Sequence, residues 1–264
     1  MKYEILSCLP ASFPWRGNIH HFTTIDSTNT QAKRMAAAGA PHGTVLVADA
    51  QTAGRGRLGR TFHSPADAGV YLSLILRPQL LPGQLMHLTC AVAVAMCDAV
   101  EQTIGLRPHI KWTNDLVAQR KKLGGILTEL SVGKNGLVDY AVIGIGINCN
   151  QLPEDFPEEI ADIATSCRIL CGQAAHRPAL IARMVEALEQ MSRNLSDSHT
   201  TLARYRKDCI TIGQKISVLR ADDIRHGTAL DVDESGALMV LFEDGHTEAV
   251  SSGEVSIRGM YGYV

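Results

Sequence analysis

The spacing of apolar and polar residues changes several times along the chain, and each change predicts an element. Ser27-Thr28-Asn29 precedes the run TQAKRMAAAGA, and Gly39 stands where a helix would stop, so a capped helix is predicted here. Strands are predicted at residues 44–49 and 69–77; the second, GVYLSLILR, alternates and is rich in branched side chains. Residues 84–103, full of Ala, Val and Met and far too long for a strand, predict a buried helix. Strand-like runs follow at 109–112, 125–132 and 138–148, and the few residues between them predict hairpin-like antiparallel pairing. Residues 153–163 read as a loop with short helical turns, and 180–195 as a helix with one apolar face.

From Gly213 onward the texture turns to short alternating runs: KISVLR, GTALDV, ALMVLF, HTEAV and EVSIR. Turn residues punctuate them at Asp222-Asp223, Glu234-Ser235-Gly236, Glu243-Asp244-Gly245 and Ser252-Gly253. About fifty residues of this kind predict a small β-barrel. The pattern therefore divides the chain into residues 1–212 and 213–264, with no internal repeat in either part.

The 264 residues, 45% hydrophobic and 20% charged, have an ordinary globular composition. A net charge of −2 gives no reason for bulk adhesion to nucleic acid or to a membrane. Its division is uneven. Residues 1–212 hold 21 basic and 18 acidic side chains, net +3, whereas 213–264 hold 4 and 9, net −5. No stretch approaches the ~20 apolar residues of a membrane span, and Asp98 interrupts the longest candidate, so no membrane association is expected. Glu4 stands where a secretion signal would begin its apolar core, so no signal peptide is expected either. The 7 cysteines are irregularly spaced with no CxxC pair, which fits a reducing, cytoplasmic setting with Cys90 and Cys97 as core residues. Cys167, Cys171 and His176 match no common zinc spacing, and no metal ligands are assigned.

Four segments carry candidate chemistry. AGRGRLGR at 53–60 combines close-approach glycines with Arg55, Arg57 and Arg60; it is neither a Walker loop nor a GxGxxG turn. An anion site and a solvated basic turn are both open readings. Lys111-Trp112-Thr113-Asn114-Asp115 joins two strand-like runs, and Arg120-Lys121-Lys122-Leu123-Gly124-Gly125 leads a cation cluster into an apolar strand. In Gly144-Ile145-Gly146-Ile147-Asn148, glycines interrupt an apolar strand, which calls either for a closely approaching group or for a bend. Together these outline a pocket for an anionic substrate with an apolar body.

Taken in order, Ser27-Thr28-Asn29, QTAGRGRLGR at 51–60, KWTND at 111–115, KLGGIL at 122–127, GIGIN at 144–148 and GEVSIR at 253–258 resemble the motifs of biotin protein ligases. The resemblance spans nearly the whole chain. It implies an α+β fold: a mixed sheet with helices like that of class II aminoacyl-tRNA synthetases in residues 1–212, and an SH3-like barrel in 213–264. It implies biotin, ATP and Mg²⁺ as ligands, biotinyl-5′-AMP as intermediate and a biotin carboxyl carrier protein as the acceptor of biotin on one lysine. A homodimer is compatible with it.

The resemblance also implies roles. Arg55 and Arg57 lie in a loop that closes over biotin and phosphates; Lys122 bridges the biotin carboxylate and the α-phosphate. Ser27, Thr28, Asn29 and Gln51 line the biotin head, Trp112 forms a pocket wall, and Asn148 lies on the nucleotide side. Gly54, Gly56, Arg60, Lys111, Asn114, Gly124, Gly125, Gly144 and Gly146 complete the expected binding residues. Asp115 is expected to help deprotonate or orient the incoming lysine, or to hold Mg²⁺; pairing with Lys111 is the plainer alternative. The chain departs from the family pattern at Thr113, where Pro is usual, at Leu58, where Arg is frequent, and at Phe62, where Trp is common. Because the first motif starts at Ser27, no room for an N-terminal helix-turn-helix is expected, and no DNA binding. Lipoate or octanoate transfer and non-catalytic biotin binding are the alternative activities. An RNA-binding role sits badly with the −5 charge of the C-terminal part.

Overall fold

Two sheets organise the computed structural model, which describes residues 1–220, 223–251 and, as backbone, 255–259. In the first part the elements are α1 (Lys2–Ser7), β1 (Ile19–Ile25), α2 (Thr28–Ala37), β2 (Thr44–Gln51), β3 (Gly69–Leu76) and α3 (Leu88–Ile104). Then come β4 (His109–Lys111), β5 (Asp115–Ala118), β6 (Lys121–Val132) and β7 (Val138–Asn148). Helices α4 (Glu158–Ala161), α5 (Cys167–Cys171), α6 (Arg177–Arg193) and α7 (Ser198–Asp208) follow. The remaining strands are β8 (Lys215–Arg220), β9 (Asp223–Val232), β10 (Leu238–Phe242), β11 (Thr247–Val250) and β12 (Val255–Gly259).

Seven strands form a mixed sheet in the order β1-β2-β3-β7-β6-β5-β4. β1 and β2 run parallel, joined through α2, and every other pair is antiparallel, including the predicted hairpins of β4 to β7. α2 packs on one face of the sheet and α3 and α6 on the other. β3 lies between helices on both sides, so all of its positions are buried and GVYLSLIL reads as an almost unbroken apolar run. The main core fills the α3/α6 side; Ala32, Ala36, Leu46, Ile75 and Val142 form a smaller cluster under α2.

With its short 3-10 lead-in, α3 makes a helix of 23 residues, Pro82–Ile104, long and apolar enough by length and composition to cross a bilayer. That corrects the expectation that no stretch approaches such a length. Of its most apolar window 72% is buried, because α3 lies between the sheet and helices α6 and α7.

β8 to β12 form the second sheet, antiparallel throughout, in the order β11-β10-β9-β8-β12. Its apolar side chains continue the main core. It is tied to the first part where Arg206 of α7 meets Asp231 at 2.9 Å and where Trp112 Nε1 donates to the Gly236 carbonyl at 3.0 Å. Of the turn and motif residues named above, Asp222, Ser252, Gly253 and Glu254 lie outside the described residues.

The pattern of the sequence misses β1, β5 and α7. β1 (IHHFTTI) is half-exposed and polar, β5 has four residues, and α7 buries only Leu202, Tyr205 and Asp208, so none carries a strong apolar period. β6 begins at Lys121 rather than near Gly125, which places Lys122 and Gly124 inside a strand.

Candidate active site

The N-terminus of α2, the paired strands β6 and β7 and the Arg/Gly loop surround a cavity of about 140 Å³. Its floor is set by register: Gly125 lies opposite Gly146, and Leu127 opposite Gly144. A Cβ on Gly144 would overlap the Asn29 side-chain amide, and one on Gly146 would lie 2.5 Å from the Phe62 ring. The glycines of this strand therefore make room for two walls of the pocket; neither a bend nor a ligand alone explains them. Phe62 stands edge-on to Tyr71, so the aromatic position after the Arg/Gly loop forms part of this lining.

One end of the cavity is polar and buried. Ser27, Thr28 and Asn29 are 2%, 4% and 3% exposed. Ser27 caps α2, its hydroxyl accepting from the Thr30 amide. The Thr28 amide donates to Gln51 Oε1 at 2.8 Å, and the Gln51 amide nitrogen to Ser64 Oγ at 2.9 Å. Ser73 Oγ lies 2.6 Å from Asn29 Oδ1 and 2.8 Å from Thr28 Oγ1. Asn29 Nδ2 donates in turn to Glu129 at 3.1 Å. Groups so deeply desolvated are stable only when partnered, and here they hold one another in fixed orientation. Ser73 and Glu129 were not singled out from the sequence. The signal for Ser73 was a single serine in an otherwise apolar and aromatic strand; for Glu129 it was a charge in the half-buried run after the two glycines.

Positive charge gathers at the other end. Lys122 Nζ donates to Asp115 Oδ1 at 2.7 Å. The Lys122 backbone is fixed by two bonds to the segment before α5: its amide donates to the Ile163 carbonyl at 2.7 Å and its carbonyl accepts from Thr165 at 2.9 Å. Arg57 donates to Asn114 Oδ1 at 2.9 Å, and Asn114 Nδ2 donates to the Ile126 carbonyl at 3.0 Å. Burial lowers the proton affinity of the Arg57 guanidinium, offset in part by the Asp115 carboxylate. A guanidinium stays charged at neutral pH in spite of such a shift.

The Arg/Gly loop is a small ladder. The Gly56 amide donates to the Arg60 carbonyl at 2.7 Å and the Phe62 amide to Gly54 at 3.0 Å. Leu58 at its apex has φ +54° and is 53% exposed. Arg55, Gly56, Arg57 and Arg60 line the cavity, as do Ser27, Thr28, Asn29, Gln51, Asn114, Asp115, Lys122, Gly125, Gly144 and Gly146.

Five expected residues do not line it. Trp112, expected as a pocket wall, is 4% exposed and spans the two sheets through its bond to Gly236. Lys111 is buried at the end of β4, opposite Asp115 in register. Gly124 supports the close approach of β6 and β7, since a Cβ there would meet the Gly146 carbonyl. Gly54 sits under the loop, where a Cβ would overlap the Phe62 carbonyl. Asn148 donates to the Thr165 carbonyl at 3.0 Å and toward that of Lys122 at 3.5 Å, so it holds the backbone that carries Lys122. Thr113 is buried and its carbonyl accepts from the Tyr205 hydroxyl at 3.2 Å.

Residues 21–148 match the biotin/lipoate A/B protein ligase family, and residues 211–258 match the biotin protein ligase C-terminal domain. The chain is 37% identical over 229 residues to the bifunctional ligase/repressor BirA of Bacillus subtilis, covering 86% of this chain and 70% of that one. It is 36% identical over 236 residues to the biotin–[acetyl-CoA-carboxylase] ligase of Mycobacterium tuberculosis, covering 87% and 85%. The structure of the Aquifex aeolicus biotin protein ligase in complex with biotin and ATP is similar, with a TM-score of 0.79 and 30% identity, covering 92% of this chain and 99% of that one.

Proposed function

Since the chain belongs to the biotin protein ligase family, we infer from its cavity how it carries out that reaction. The protein is an ATP-dependent ligase that activates biotin and transfers it to the carboxyl carrier protein of a carboxylase. The observation that carries the assignment of its site is one cavity with a buried, neutral hydrogen-bonding wall at one end and Lys122 and Arg57 at the other.

The neutral ureido ring of biotin would lie against Ser27, Thr28, Asn29 and Gln51, whose amides and hydroxyls supply both donors and acceptors. Its valerate carboxylate would then reach the Lys122 end. There a carboxylate oxygen attacks the α-phosphorus of ATP, a C(O)–O–P bond forms, and pyrophosphate leaves. Two anions must meet in this step, so catalysis rests on positioning and on positive charge. The Arg57 guanidinium, fixed by Asn114, and the Lys122 ammonium supply it. In the second step the neutral carrier lysine amine attacks the acyl carbon, a C–N bond forms as the C–O bond to phosphate breaks, AMP leaves with the electron pair, and the proton shed by the nitrogen passes to solvent.

The bond from Lys122 to Asp115 supports a role for Asp115 in orienting the Lys122 ammonium, beside the role expected for it toward the incoming lysine. Mg²⁺, expected with ATP, would be held mainly by the nucleotide's phosphates, with Asp115 the carboxylate that lines the cavity. Seven free thiols support a reducing, cytoplasmic setting for the reaction.

Lipoate, whose head is an apolar dithiolane, could make none of the hydrogen bonds that a ureido ring can make with that wall, a difference that sites built for hydrogen bonding discriminate strongly. The test is to incubate the protein with MgATP, biotin and a biotin carboxyl carrier domain, probe the carrier with avidin, and run lipoate in parallel. Biotin labelling is expected; no labelling, or labelling with lipoate alone, would refute the reading.

A further inference from the structure

Glu129 has no part in the chemistry above, yet its carboxylate joins three elements. Oε1 accepts from Lys33 Nζ of α2 at 2.9 Å. Oε2 accepts from Asn29 Nδ2 at 3.1 Å and faces Arg55 Nη1 of the Arg/Gly loop at 3.5 Å. Burial acts to raise its pKa, but Lys33, Asn29 and Arg55 together hold it below the ordinary glutamate value, so it is ionised at neutral pH.

An ionised carboxylate can only accept hydrogen bonds. The Asn29 amide must therefore turn its nitrogen toward Glu129 and its oxygen toward Ser73, which lies 2.6 Å away. A neutral neighbour able to donate would leave that orientation to the longer bond from Asn29 Nδ2 to the Leu127 carbonyl at 3.4 Å, and would loosen the donor–acceptor pattern of the wall. The same carboxylate is the point where the first arm of the loop meets β6, whereas Arg57 ties the apex to Asn114.

We propose that Glu129 is a positioning residue for substrate recognition: it sets the Asn29 amide and tethers the Arg/Gly loop through Arg55, coupling loop closure to recognition of the neutral biotin head. This rests on the ligase reading above. Lys33 reaches the same carboxylate from the opposite oxygen and is not among the residues that line the cavity, so it separates this role from a general need for charge balance.

The test uses the full chain with Glu129→Gln, Glu129→Asp and Lys33→Met, reading biotin KM, kcat, melting temperature and tryptic cleavage between residues 55 and 60 with and without biotin. Glu129→Gln, isosteric but able to donate, is expected to raise biotin KM about tenfold while kcat at saturating biotin stays within about threefold. Biotin is expected to lose its protection of the loop in that variant. Glu129→Asp keeps the charge but is shorter, and is expected to fall between it and the native protein. Lys33→Met is expected to stay within about twofold of the native KM, with the loop still protected. An equal rise in KM for Glu129→Gln and Lys33→Met, or native loop protection in Glu129→Gln, would overturn the proposal; should Glu129→Gln fail to fold, a native KM in Glu129→Asp would do so. If the native protein neither binds biotin nor protects its loop, the ligase reading falls as well; if it does both while Glu129→Gln is unchanged, the positioning role alone falls.

Discussion

Replacing Ser73 by Ala tests the buried wall at its least exposed point. Ser73 lies in β3, fully buried, and is the hydrogen-bond donor to Asn29 Oδ1 among the described residues. Thr28 keeps Gln51 as a partner at 3.1 Å when Ser73 is gone, so a single group, Asn29 Oδ1, is left unpaired. An unsatisfied buried acceptor costs roughly 1–3 kcal/mol, and the lost hydroxyl leaves a space too small for a water with several partners. The expected destabilisation is therefore about 2 kcal/mol, equivalent to a fall in melting temperature of roughly 4–8 °C for a chain of this size. Because Asn29 also lines the cavity, biotin KM is expected to rise about tenfold with kcat nearly unchanged. Differential scanning calorimetry and pyrophosphate exchange at varied biotin measure the two effects. A Ser73→Ala protein that melts within about 1 °C of the native one and keeps its KM would refute the reasoning, since an orphaned buried acceptor must lower the melting temperature by more than that.

Three further outcomes follow from the same geometry. Lys122→Ala is expected to slow adenylate formation at least about a hundredfold while the protein stays folded, because the Lys122 backbone bonds to Ile163 and Thr165 need no side chain; near-native pyrophosphate exchange would remove Lys122 from the chemistry. Gly144→Ala drives a methyl into the Asn29 amide and is expected to cost about 1–3 kcal/mol and to weaken biotin binding sharply, as calorimetric titration would report. Trp112→Phe loses the bond to Gly236 and is expected to lower stability by about 1 kcal/mol with biotin affinity unchanged; a large loss of affinity would return Trp112 to the pocket.

Much of the site was legible in the sequence because its parts are local. The cap at Ser27, the Arg/Gly loop and the glycines at 124, 125, 144 and 146 each betray themselves by a residue type that is unusual at its place. The helix at 28–37 follows from its cap and its glycine stop, and the strands at 69–76 and 138–148 from long apolar runs rich in branched side chains. β1, β5 and α7 escaped because they are short or half-exposed and owe their shape to neighbours.

The sequence alone determined that cations collect at residues 55–60 and 120–122, and that short polar side chains precede a helix within an otherwise apolar frame. Only the tertiary structure decided what those groups meet. It withdrew Trp112 and Asn148 from the cavity, because one bridges the two sheets and the other braces the Lys122 strand. It brought in Ser73 and Glu129, 44 and 100 positions along the chain from Asn29. Hydrogen bonds between residues so far apart leave no periodic trace: the burial that makes them strong is created by the sheet register, and register is a property of paired strands rather than of any one segment.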